Sequence, residues 1–121
     1  MGENIIVGKS YEFAISVVRL YSILCTTQHE YVLSKQLLRS GTSIGANVTK
    51  AQNAQSKAEF YAKMYIAYKE ANESRYWINL LHQTSFLNDE QFCTIDKACH
   101  EIVRILAAIT KNQRDYSNNQ S

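Results

Sequence analysis

Proline is absent from this sequence of 121 residues, and glycine occurs only four times. A β-sandwich or barrel needs many tight turns, which draw on these two residues, so a turn-rich fold is disfavoured and a few long helices are favoured. No run of about 18 apolar residues occurs, which argues against a membrane-spanning helix. The length suits one domain with a single core.

Cysteine is also scarce, with three residues at Cys25, Cys93 and Cys99 and no C-x-x-C pair. An odd number of scattered thiols is typical of reduced cysteines rather than of a disulfide framework. The first residues lack the basic and apolar regions of a signal peptide. We therefore expect a cytoplasmic protein that does not associate with a membrane.

Apolar residues recur at spacings of three and four, which predicts four helices at about residues 10–26, 30–53, 57–85 and 89–112. Residues 115–121 are polar and are predicted to be a disordered tail. All three connections are short, so successive helices should be antiparallel. The predicted fold is all-α, an antiparallel up-down-up-down four-helix bundle within a single domain.

Residues that typically cap helix N-termini support these predicted helices. Ser10 is a candidate N-cap of the first helix, whose apolar stripe would include Val17, Val18 and Leu24. Ser56 with Glu59 forms a capping box before the third helix. The fourth helix would open at Asn88.

Two glycines, Gly41 and Gly45, lie four apart on one face of the second helix. Each costs about 1 kcal/mol relative to alanine in a helix interior. We interpret them as positions where a neighbouring helix comes close.

The third helix carries more apolar surface than the core of a bundle requires. A helical-wheel projection of this helix places its core residues on one side and a tyrosine-rich face next to them. Three interpretations remain open: the rim of the core, a subunit interface, or a platform for stacked bases. The candidate interface residues are Tyr61, Tyr65, Tyr68 and Tyr76.

Positive charge is concentrated in residues 35–75, with seven basic and three acidic side chains, although the whole chain carries only +2. Such a segment could face a polyanion or be a solvated helical surface. The candidate nucleic-acid contacts are Lys50, Lys57, Lys63 and Arg75.

No motif predicts catalysis, a metal or a cofactor. Glu70 and Glu73 lack the Glu-x-x-His pattern of a bundle di-iron site, so an ion pair with Lys69, Arg75 or another helix is the better explanation. The glycine pair lacks the Lys-Ser/Thr of a phosphate loop. We therefore expect a protein that is not an enzyme and binds no cofactor.

Four segments follow one familiar pattern in register: QLLRSGTSIGANV at 36–48, KAEF at 57–60, IAYKEA at 66–71 and RYWINLL at 75–81. Over roughly residues 10–112 the sequence resembles the bacterial 23S rRNA-intervening sequence protein family, also called the S23 or four helix bundle protein family. The run RSGTSIGAN is the most specific part. One departure is Lys50, where many relatives have an acidic residue, which puts any role of that acid in doubt.

The resemblance implies a left-handed antiparallel four-helix bundle, a ring-shaped homopentamer and a largely uncharacterised role. A similar protein acts in diversity-generating retroelements, where it binds a reverse transcriptase and contacts nucleic acid through a basic surface. Our preferred hypothesis is a non-enzymatic oligomeric scaffold that binds RNA, DNA or a reverse-transcriptase-like protein. The alternative is a protein–protein interaction module with no nucleic-acid role.

Overall fold

The computed structural model describes the backbone of residues 2–120 and the side chains of residues 5–111. This part of the chain folds into four α-helices and contains no strand: α1 (Gly2–Gln28), α2 (Leu33–Gln52), α3 (Lys57–Gln83) and α4 (Asp89–Gln120). Each helix packs against the next, and α4 returns to α1, while in the described part of the chain no Cα atoms of the diagonal pairs α1–α3 and α2–α4 come within 8 Å of each other. The predicted all-α, antiparallel up-down-up-down bundle is confirmed. None of its helices, within the described range, is apolar over enough length to span a bilayer.

The first helix begins earlier than predicted. It starts at Gly2 rather than near Ser10, whose hydroxyl donates to the Val7 carbonyl at 3.2 Å from inside the helix and so is not an N-cap. Ile6 is fully buried, so the segment before Ser10 contributes to the core. At the other end of the chain, α4 extends to Gln120, so it runs past the predicted helix end near residue 112 and includes residues 115–120 of the predicted disordered tail.

The core stripe of α1 is also rotated from the predicted one. Its buried members are Ile6, Phe13, Val17, Leu20 and Leu24. Val18, expected in the core, is 49% exposed. The prediction failed because α1 carries apolar stripes on two different sides of the helix, and helical periodicity alone does not say which one faces inward.

Predicted caps of the later helices are confirmed. The Ser56 hydroxyl accepts from the Glu59 backbone N–H at 3.1 Å. Asn88 and Gln91 cap each other, with the Gln91 N–H donating to the Asn88 side chain at 2.8 Å and the Asn88 N–H donating to the Gln91 side chain at 3.0 Å. These bonds satisfy N–H groups that a helix start leaves without intrahelical partners.

The start of α2 has a cap that the sequence analysis missed. The Glu30 carboxylate accepts from the backbone N–H groups of Val32 and Leu33, both at 3.2 Å, and of Ser34 at 2.7 Å. Burial alone would raise the pKa of this carboxyl, but the three donors stabilise its charged form and leave the pKa below its ordinary value of 4.5. Glu30 therefore holds the α1–α2 connection as an anion.

Replacing Glu30 with alanine should lower the free energy of unfolding by about 1 kcal/mol at pH 7, because three N–H groups lose their acceptor. A carboxyl whose folded pKa is depressed contributes fully above its unfolded pKa and loses that contribution as the pH falls through the folded value. The difference between wild type and Glu30→Ala in urea denaturation should therefore shrink below pH 4.5. A difference that stays constant into strong acid would contradict this role.

Close approach of α1 and α2 occurs at the two predicted glycines. A Cβ atom on Gly41 would lie 2.9 Å from a methyl carbon of Val17, and one on Gly45 would lie 3.4 Å from the Ser10 carbonyl oxygen. Van der Waals contact begins near 3.4–4 Å, so only hydrogen fits at Gly41 without a shift of α1. The glycines thus let the two backbones meet.

We expect Gly41→Leu to lower the free energy of unfolding by about 1–3 kcal/mol through overpacking against Val17. Gly8 provides the control, because a Cβ there meets nothing within 4 Å. Gly8→Ala should gain about 1 kcal/mol from helix propensity. Thermal unfolding of both variants measures the two effects, and a higher melting temperature for Gly41→Leu would exclude the close-approach role.

Candidate interaction surfaces

The four candidate tyrosines on α3 fall into two pairs. Tyr65 and Tyr76 are exposed, at 46% and 59%, whereas Tyr61 and Tyr68 are half-buried and pack against the core. Helical register explains the split, because residues 61 and 68 are seven apart on the flank of the helix. The core-rim interpretation therefore describes Tyr61 and Tyr68, and only Tyr65 and Tyr76 are available to a partner.

The exposed pair belongs to a long stripe that points away from the bundle, which we call the α3 outer stripe. Its members recur every three or four residues and are all exposed: Ala58, Ala62, Tyr65, Lys69, Asn72, Tyr76, Asn79 and Gln83. By helical rise it is about 38 Å long. Lys69 is its one charged residue, and its Nζ lies 5.5 Å from the centre of the Tyr65 ring. A solvated helix face normally carries many charges, so this stripe resembles an interface.

Acidic residues of α3 lie on a different flank, facing α2. Arg39 of α2 pairs with Glu70 at 3.3 Å and with Glu73, and the Trp77 indole N–H donates to Glu73 at 2.9 Å. The Trp77 and Arg39 donors lower the pKa of Glu73. The expectation that these glutamates pair with another helix is confirmed, with Arg39 as the partner.

A second exposed apolar stripe runs along α1 and was not recognised in the sequence. Its exposed members are Val7, Tyr11, Ile15, Val18 and Ser22, which we call the α1 outer stripe. Exposed Glu12 and Arg19 lie along its edge. The signal was present as a second set of three-and-four spacings on the outward side of the helix, and the sequence analysis merged part of it with the core stripe.

Beside this stripe, α1 and α2 form a shallow groove of about 580 Å³. Val7, Tyr11 and Ala14 line one wall, and Gly45 with Ala46 forms part of the other. The groove exists because the glycines bring the two backbones together and leave no side chain to fill the space. It widens the apolar surface of α1 onto α2, with Lys50 at its margin.

The four candidate phosphate contacts do not form one cluster within a single chain. Lys50 lies in the last turn of α2 and Lys57 begins α3, so both are exposed at the same end of the bundle. Lys63 is only half-exposed on α3. Arg75 lies about 27 Å farther along α3 than Lys57, given the helical rise.

The Arg75 side chain is more buried than we expect for a residue that contacts phosphate. Its Nε atom is buried with no hydrogen-bond partner among the described residues. It lies close enough to Cys99 of α4 to favour the thiolate, yet burial raises the pKa of that thiol to about 12. Cys99 is therefore a packed, neutral thiol, and its Sγ approaches the Ala71 carbonyl oxygen at 3.5 Å.

Across the described residues, no three His, Cys, Asp or Glu side chains come together in an arrangement that could hold a metal ion. The pairs that do form, His82 with Asp89 at 2.8 Å and Asp96 with His100 at 3.6 Å, lie at separate places on α3 and α4. The features that the described side chains do form are the two exposed outer stripes and the groove between α1 and α2.

Comparison with known proteins agrees with this architecture. Residues 2–108 match the 23S rRNA-intervening sequence protein family. The crystal structure of a protein of unknown function from the S23 ribosomal protein family of Bacteroides thetaiotaomicron is 49% identical, with a TM-score of 0.89. The match covers 92% of this chain and 99% of that one. No curated protein matches the chain significantly.

Proposed function

Because the chain belongs to the 23S rRNA-intervening sequence protein family, we propose that it is a non-enzymatic, oligomeric scaffold that binds nucleic acid or an enzyme acting on nucleic acid. The observation that carries the proposal is the α3 outer stripe, a helix face about 38 Å long with a single charge. The three cysteines are free thiols, which is consistent with a protein that functions in the bacterial cytoplasm.

Self-assembly follows from what the stripe exposes. Tyr65 and Tyr76 place large aromatic rings in water, and tyrosine is enriched at protein interfaces. The α1 outer stripe is apolar along most of its length, and contiguous apolar surface of this kind is uncommon on a monomer without a partner. Identical chains that associate usually form closed symmetric assemblies. The number five comes from the family resemblance alone.

Nucleic-acid binding would use the end of the bundle that presents Lys50 and Lys57. Exposed Lys111 of α4 lies near the same end, because α4 runs antiparallel to α3. Each copy in a ring would repeat this small basic cluster, so a weak monomer site would become a multivalent surface for phosphates.

Ion pairing favours the alternative, a protein–protein module with no nucleic-acid role. Arg39 is engaged by Glu70 and Glu73, and Lys9 pairs with Glu101 at 3.1 Å. These pairs engage basic side chains on the sides of the bundle, so less positive charge is available there to phosphates. Direct binding assays with RNA and DNA at several salt concentrations separate the two functions, because phosphate contacts make the affinity for a nucleic acid fall steeply with salt.

The double substitution Tyr65→Glu with Tyr76→Glu should dissociate the assembly to monomers and leave helix content unchanged, because both side chains point away from the core. Tyr31→Glu is a matched control, since Tyr31 is 54% exposed but lies in the α1–α2 connection. Sedimentation equilibrium and circular dichroism would measure mass and helicity. If the doubly substituted protein still assembles, the α3 outer stripe is not part of the interface.

Charge reversal by Lys50→Glu with Lys57→Glu should weaken binding to single-stranded RNA and DNA of any sequence, by about tenfold or more at low salt, because two phosphate contacts are lost from each copy. The control, Lys35→Glu with Lys97→Glu, makes the same change in net charge at exposed positions near the other end of the bundle. Fluorescence anisotropy would compare the two variants. Equal losses would indicate a general charge effect, and no loss from the first variant would refute this surface.

A further inference from the structure

We infer that the groove between α1 and α2 holds one unstacked base of a single-stranded nucleic acid, with the adjoining phosphate of that strand on Lys50. The inference rests on the nucleic-acid binding in the proposed function and names the form of the ligand. A duplex keeps its bases paired and stacked on one another, whereas a single strand can place a base on a protein surface. The groove therefore selects single strands.

The position of the groove is the first argument. Its α1 wall comes from residues between 7 and 14 and its α2 wall from residues 42–50, so it runs for about 12 Å along the last turns of α2. Lys50 belongs to its lining, and Lys57 is exposed at the start of α3, at the same end of the bundle. A strand whose phosphates contact these two lysines therefore has the groove beside it.

The size and the apolar lining of the groove suit a base. Its volume of about 580 Å³ lies within the range of small-molecule sites, roughly 300–1,000 Å³. Val7, Ala14 and Ala46 supply apolar surface, and Gly45 adds no side chain that would fill the space. The flat faces of a base are apolar, so these walls can cover them.

Tyr11 supplies an aromatic ring at the wall of the groove. Its side chain is 69% exposed, and it makes no hydrogen bond or ring contact with another described residue. Its ring is therefore available to lie against a base. Exposed aromatic rings beside basic side chains are the means by which many proteins bind single strands without sequence preference.

The hydroxyl groups in the lining act as hydrogen-bond acceptors. Ser10, Thr42 and Thr49 donate their hydroxyl hydrogens to backbone carbonyls of their own helices, at 3.2, 2.7 and 2.8 Å. A hydroxyl has a single hydrogen, so each of these oxygens can only accept a further bond. Each nucleobase carries at least one N–H group on its edge, so any of them can donate to such an oxygen.

Charge complementarity favours a nucleotide over other ligands. Lys50 is the one charged residue in the lining, and no acidic side chain is part of it. The groove thus combines one cation with one aromatic ring, and every unit of a nucleic acid joins one phosphate to one planar base. A protein segment would need an acidic and an aromatic side chain at a matching separation to use both.

A base in the groove leaves most of the α1 outer stripe uncovered. The lining shares only Val7 and Tyr11 with that stripe, and Ile15, Val18 and Ser22 lie outside it. Base binding and the proposed self-assembly therefore depend on largely different residues of α1.

Two strands of equal charge separate the base contact from the phosphate contacts: an oligothymidylate of about 12 nucleotides and an abasic strand of the same length. In fluorescence anisotropy, wild type should bind the oligothymidylate about tenfold more tightly, because only that strand can stack a base on Tyr11. Tyr11→Ala should bind both strands with equal affinity, since it keeps Lys50 and loses the ring. Ala46→Leu should do the same, because the larger side chain fills the groove.

Matched controls change the same residue types outside the groove. Tyr31→Ala and Ala108→Leu both alter exposed positions and should keep the tenfold preference. The ratio of the two affinities is the readout, because a change in fold or in assembly would lower binding of both strands alike.

The remaining outcomes separate this inference from the proposed function. Equal binding of the two strands by wild type would overturn the inference and leave the phosphate surface in place. An unchanged ratio in either groove variant would also overturn it, as expected if the groove holds a protein segment instead. If wild type binds neither strand and no duplex, the nucleic-acid binding in the proposed function fails as well.

Discussion

The close packing of α1 on α2, where Val17 meets Gly41, is the contact around which the exposed surfaces are arranged. A Cβ at Gly41 would lie 2.9 Å from a methyl carbon of Val17, so a larger residue there would force that side chain or α1 to shift. With Val17 turned towards Gly41, Ile6, Phe13 and Leu24 lie in the core. The α1 outer stripe then lies at the surface, where it adjoins the groove beside Gly45.

Charged side chains are distributed unevenly over the surface of the bundle. The ion pairs of Arg39 with Glu70 and Glu73 lie on the side of the bundle between α2 and α3 and link these helices. The outer stripes of α1 and α3 carry one charge between them. Lys50 and Lys57 are exposed together at one end of the bundle. The proposed function assigns self-association to the outer stripes and phosphate contacts to this end.

The sequence predicted the local features well because short-range chemistry decides them. Ser56 and Asn88 start helices in the predicted way, and the spacing of Gly41 and Gly45 indicated a close approach. The rotation of α1 was not predicted, because Val17 and Val18 are equally apolar and each belongs to an apolar stripe with helical spacing. The four tyrosines of α3 could have been separated by helical register, but the sequence analysis treated them as one face and did not distinguish the half-buried pair from the exposed pair. Arg75 was grouped with the lysines on charge alone, whereas its Nε is buried beside α4.

The mass of the wild-type protein in solution tests the central claim most directly. Sedimentation equilibrium at micromolar concentration should give one species whose mass is a whole multiple of 13.9 kDa and larger than one chain. Five copies would also support the ring implied by the family resemblance. A single species of 13.9 kDa across the concentration range would contradict the account, because both outer stripes would then remain exposed to water with no partner copy.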